Sequence, residues 1–132
     1  MTARPSAPGT LKILVVDDDL VGLAVVTASL RNAGFEVVGR SQAIGTGAAI
    51  QQHRPDFVLL DVGMPGLGGD ALARLLSPVQ FPASRIIFFS ARDRAALDAL
   101  VADCGVLGGI VKSSDSLAVV RELSALIRLA PR

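Results

Sequence analysis

Three carboxylates, a hydroxyl and an ammonium group stand where apolar runs end. Asp17 and Asp18 follow Leu11-Lys12-Ile13-Leu14-Val15-Val16, and Asp61 follows Phe57-Val58-Leu59-Leu60. Ser90 closes Ile86-Ile87-Phe88-Phe89, and Lys112 follows Ile110-Val111. Gathered together, two carboxylates about 4 Å apart would repel by roughly 4 kcal/mol at an effective dielectric near 20. A divalent cation removes that cost, and a ligand set made only of oxygens suits magnesium. A carboxylate left free by the metal is a nucleophile for phosphorus, with an aspartyl phosphate as the product. Lys112 would neutralise one phosphoryl oxygen and Ser90 would hydrogen-bond another. Asp61 is the candidate nucleophile because it ends the most apolar run, and the glycine-rich stretch after it leaves room for a donor. The carbonyl of Gly63 is a further candidate metal ligand, beside Asp17, Asp18 and Asp61.

Such a site needs elements that bring five separate positions to one edge. Short apolar runs alternate with helix-period segments, the mark of βα units around a parallel sheet. Strands are expected over Leu11 to Val16, Phe35 to Val38, Phe57 to Leu60, Ile86 to Phe89 and Gly109 to Val111. Between them, Leu23, Val26, Thr27 and Leu30 recur at helical spacing, as do Thr46, Ala49, Ile50 and His53. Gly63-Met64-Pro65-Gly66-Leu67-Gly68-Gly69 reads as a loop, with a short helix through Leu72, Leu75 and Leu76 that stops before Pro78. Leu97, Leu100, Val101 and Cys104 form the clearest apolar stripe. A last helix starts near Ser114 or Ser116 and turns Val120, Leu123 and Ile127 inward. The fold class is therefore α/β: five parallel strands and five helices in an open doubly wound sheet, whose ligand sites lie at the strand carboxyl ends.

Composition narrows the function classes. The chain has 132 residues, 51% of them hydrophobic and 19% charged, enough for one domain with a core on both sides of a sheet. Residues 1–10 read as a flexible lead-in and 11–130 as the domain. No apolar run approaches the roughly 18 residues of a membrane span, so no membrane partner is expected. A net charge of +1 and the lack of Trp and Tyr give no case for nucleic acid. The single cysteine, Cys104, fits a reducing cytoplasmic setting.

Each site residue has an ordinary structural reading. Asp17 to Asp19 would suit the positive end of a helix. Ser90-Ala91-Arg92-Asp93 fits a capping box with Ser90 as the cap. A single lysine is usually a solvated surface residue. Asp61 is harder to dismiss, because an unpaired carboxylate at the end of a buried strand is costly. Together these readings require several independent coincidences on one sheet edge, and the joint placement favours a site.

The stretches Val15-Val16-Asp17-Asp18, Asp61-Val62-Gly63-Met64-Pro65-Gly66-Leu67, Ser90-Ala91 and Val111-Lys112 resemble the receiver domain of bacterial two-component response regulators, over nearly the whole chain from Leu11 to Leu129. The resemblance implies a flavodoxin-like sheet of order 2-1-3-4-5. It implies that Asp61 accepts a phosphoryl group from a histidine of a sensor kinase or phosphotransfer protein. Asp18 would bind magnesium directly and Asp17 mainly through water, while Ser90 would move to the phosphoryl group and Lys112 would pair with it. A protein of this kind takes part in its own phosphorylation and is not a dedicated enzyme.

Three positions depart from the family pattern. Gly109 stands where an aromatic residue usually relays the switch, Ser113 where a proline usually follows the lysine, and Gly68 where Asp or Asn precedes the loop's last glycine. With the sequence ending at Arg132, the expectation is a single-domain regulator that acts on a downstream protein. Helix 4, strand 5 and helix 5 would form its partner or homodimer surface. Gly108 and Gly109 would leave that edge strand little covered, and Val119, Leu126 and Leu129 would lie outside the core stripe. Two other readings are open: a pseudo-receiver that docks without phosphorylation, and a haloacid dehalogenase-type phosphatase with Asp17 as nucleophile.

Overall fold

Five short apolar segments alternate with five helices along the chain. The strands are β1 (Lys12–Val16), β2 (Glu36–Arg40), β3 (Phe57–Asp61), β4 (Ile86–Ser90) and β5 (Gly108–Val111). The helices are α1 (Leu20–Asn32), α2 (Thr46–His53), α3 (Gly69–Leu76), α4 (Arg94–Cys104) and α5 (Ser116–Leu129), with a 3-10 turn at Ala83–Arg85. This computed structural model describes residues 10–64, 69–76 and 81–131. Most of the lead-in, the Pro65-Gly66-Leu67-Gly68 part of the loop after β3, and Pro78 lie outside the described residues.

All strands are parallel, in the order β2-β1-β3-β4-β5. β1, β3 and β4 are inner strands, which is why their runs are apolar without alternation. The pleat then sorts them into two cores. Leu14, Val16, Val58, Leu60, Ile86 and Phe88 face α2, α3 and α4, joined by Ala49, Ile50, Leu72 and Leu97. Ile13, Val15, Phe57, Leu59, Ile87, Phe89 and Ile110 face α1 and α5, joined by Val26, Leu30, Val119 and Leu123.

The structure alters several sequence expectations. β2 runs two residues further than Phe35 to Val38 would allow, because Gly39 and Arg40 continue the pairing with Val15 and Val16. Ser90 is not a helix cap: it is the last residue of β4, and Asp93 caps α4 by accepting the Ala96 N–H at 2.8 Å. Val119 belongs to the core, buried one turn before Leu123 on the face that α5 turns inward. β5 is an edge strand, yet its glycines are covered. A Cβ on Gly108 would lie 2.6 Å from Leu126, and one on Gly109 would lie 2.7 Å from Leu97. The missing side chains are replaced by leucines from α5 and α4.

Candidate phosphoryl-acceptor site

The alternation that builds the two cores also places the charges. Ile13, Val15, Phe57, Leu59 and Ile110 face α1 and α5. Continuing that period by one step brings Asp17 and Asp61, on the adjacent strands β1 and β3, and Lys112, after β5 on the far side of β4, to the same face of the sheet. Lys112 Nζ lies 3.0 Å from Asp17 Oδ2 and 3.3 Å from Asp61 Oδ2. Its Nζ lies over the Phe89 ring, 5.3 Å from the ring centroid. The Lys112 N–H donates to the Ser90 carbonyl at 2.7 Å, which ties the ends of β4 and β5 together.

The second oxygen of each buried acid is held by the main chain. Asp17 Oδ1 accepts the Asp19 N–H at 3.0 Å, and Asp61 Oδ1 accepts the Gly63 N–H at 2.8 Å. Both are turns in which a side chain closes on a backbone group two residues ahead. Asp17 is therefore fixed by its own loop, while Asp19 occupies the cap position of α1 without a capping bond from its side chain.

Asp18 is exposed, and one carboxylate oxygen from each of Asp17, Asp18 and Asp61 lies within 4.8 Å of the others. Burial pushes the Asp17 carboxyl above its ordinary value of 3.8, outweighing the Asp19 N–H and Lys112, which pull it down; the neighbouring Asp61 adds to the rise. Burial would lower the Lys112 ammonium, but the bond to Asp17 and the charges of Asp61 and Asp17 win and raise it above 10.5. The lysine stays cationic. An acid that resists ionisation beside two others, with hard oxygen donors only, fits a divalent cation of the magnesium type. Asp17, Asp18 and Asp61 could hold it.

Ser90 is buried, and its Oγ accepts the Arg92 N–H at 2.9 Å, leaving its own proton to donate. It ends the strand beside Asp61, although its place in the pleat belongs to the opposite face. Sequence reasoning missed two supports. Phe89 offers its ring face to the lysine ammonium, and the Ser113 hydroxyl accepts the Asp115 N–H at 3.0 Å, ordering the loop after Lys112. The spacing Ser-x-Asp before a helix was the available signal for the second.

The neighbouring surface has one apolar wall and one polar wall. A cavity of about 440 Å³ opens beside Asp17 and Lys112, between α1 and the loop into α5. Val21 and Val25 form one wall, Ser113, Ser114 and Ser116 the other, and Leu20, Val21 and Val25 are exposed. Among the described residues no helix is long and apolar enough to cross a membrane.

Known proteins agree with this arrangement. Residues 13–124 match the response regulator receiver domain. An uncharacterised response regulatory protein of Vibrio cholerae is 30% identical over 120 residues, covering 89% of this chain and 49% of that protein. The DNA-binding response regulator MtrA of Mycobacterium tuberculosis is 38% identical over 65 residues, covering 49% of this chain and 28% of its own length. The chain thus spans less than half the length of these relatives. The chemotaxis response regulator CheY4 of Vibrio cholerae superposes with a TM-score of 0.79 at 23% identity, over 89% of this chain and 98% of that one, a likeness of fold. With its sheet order and acidic strand ends, this chain belongs to the response regulator receiver domain family, part of two-component signalling.

Proposed function

We propose that residues 11–130 form a magnesium-dependent phosphoryl acceptor in which Asp61 is modified by a phosphohistidine of a sensor kinase or phosphotransfer protein. The observation that carries this reading is the Lys112 ammonium held between Asp17 and Asp61 at the end of the central strands. An Asp61 oxygen attacks phosphorus; the P–O bond forms as the P–N bond breaks, and the departing imidazole nitrogen takes a proton from water. Lys112 follows one phosphoryl oxygen and the Ser90 hydroxyl donates to another. A magnesium ion held by Asp17, Asp18 and Asp61 supplies charge neutralisation for the acids and the incoming phosphoryl group. Attack by water on the acyl phosphate returns Asp61 and inorganic phosphate, so the protein takes part in its own reset without being a dedicated enzyme. The exposed valines of α1 beside the cavity offer the donor protein an apolar footing. The modified state acts by changing a protein-binding surface at α4, β5 and α5.

Intact mass after incubation with acetyl phosphate and magnesium tests the chemistry. The wild type gains one phosphoryl group and Asp61→Asn gains none. Lack of modification in both sinks the switch and leaves the docking-module reading. A phosphoryl group mapped to Asp17 would instead favour the phosphatase-type reading.

A further inference from the structure

The space above Gly109 is filled from α4, and the same helix grips the strand beneath it. Leu97 is fully buried where a side chain at position 109 would stand. One turn earlier, Arg94 Nη1 donates to the Gly109 carbonyl at 2.9 Å, and Nη2 lies 3.1 Å from Glu122 Oε1 on α5. Asp98 holds the guanidinium from its own helix at 3.3 Å. One side chain therefore joins the first turn of α4, the main chain of the edge strand and the middle of α5. It closes a groove of about 280 Å³ lined by Gly109, Glu122, Ala125, Leu126 and Leu129.

Arg94 also lies a short, well-held distance along the chain from the acceptor site. Ser90 Oγ accepts the Arg92 N–H, Asp93 caps α4, and Arg94 is the first residue of that helix. A hydroxyl that turns to donate to a phosphoryl oxygen on Asp61 moves its oxygen, and the Arg92 N–H must follow or lose its acceptor. Where the Arg92 N–H follows, its movement reaches the first turn of α4, which starts two residues later. An exposed ion pair alone contributes little to stability, typically under 1 kcal/mol. The fork to a main-chain carbonyl and a carboxylate on a second element makes Arg94 directional, because its planar donors fix both partners at once.

We propose that Arg94 is the positioning residue that carries the state of the acceptor site to α5, through the Gly109 carbonyl and Glu122. It takes the part for which Gly109 has no side chain. The proposal rests on Asp61 being the phosphoryl acceptor. Amide NMR shifts of the full chain, with and without beryllofluoride and magnesium, test it in the wild type, Arg94→Ala and Glu122→Gln.

In the wild type, beryllofluoride should move amides at Asp61, Gly63, Ser90 and Arg92 and also those of residues 119–126. Arg94→Ala should keep the first set and reduce the second by about fivefold or more. Glu122→Gln, a mild surface change, should reduce the second set while leaving Gly109 responsive. Equal α5 responses in wild type and Arg94→Ala would overturn the proposal, as would a wild type whose α5 does not respond. Failure of the acceptor reading has a different signature, with Asp61, Gly63 and Ser90 unmoved in every form.

Discussion

At the scale of residues, Asp17 and Lys112 carry opposite consequences for pH. The Asp17 carboxyl has a raised folded value, so its contribution favours the fold when protonated and is lost as pH rises through that value. Ionised Asp17 is therefore a strain in the metal-free protein at neutral pH. Asp17→Asn should raise the metal-free melting temperature by about 2–5 °C in EDTA, and magnesium should then add little. For the wild type, magnesium at ten times its dissociation constant should add about 1.4 kcal/mol. Because protons compete for the same oxygen, magnesium affinity measured by calorimetry should fall as pH drops toward the raised Asp17 value. Lys112 has a raised folded value too, but as a base: its stabilisation is complete below 10.5 and lost as pH climbs through the folded value. Lys112→Met should cost about 1–2 kcal/mol at pH 7, discounted for a side chain still one-quarter exposed, and should abolish that alkaline loss in urea titrations.

At the scale of elements, the glycines of β5 matter through what lies over them. Gly109→Ala pushes a methyl group against Leu97 and should destabilise by about 1–3 kcal/mol, the usual penalty of overpacking. Adding Leu97→Ala should cost much less than the sum of the two single changes, because the cavity and the added methyl group offset one another. Chemical denaturation of the four proteins measures this. Strand identity and the two helix stripes through Leu30 and Leu97 were legible in the sequence, since burial on both faces leaves runs that tolerate no polar residue. Asp17, Asp18 and Asp61 were legible as a cluster for the same reason: they stand where those runs stop. The cover of β5 was not legible. A glycine pair reads locally as an empty stretch, and only the depth to which Leu97 and Leu126 reach shows otherwise. Ser90 was ambiguous because a serine followed three residues later by an acid fits a cap, and the choice was settled by where β4 ends.

At the scale of the molecule, the sheet separates two cores. Phe88 lies in the core under α2, α3 and α4, whereas Phe89 lies in the other and supports Lys112. Leucine at either position should cost a similar stability, about 1 kcal/mol. Only Phe89→Leu should slow modification by acetyl phosphate, by roughly threefold to tenfold, because it loosens the lysine; equal rates for the two variants would contradict this division. Asp17, Asp61 and Lys112 belong to one side of the sheet, while Ser90 and the helix that follows it belong to the other. A phosphoryl group on Asp61 would therefore be felt on both faces at once, by Lys112 on the side of α1 and α5 and by Ser90 on the side of α4, so that a single chemical mark at one strand end addresses both halves of the molecule.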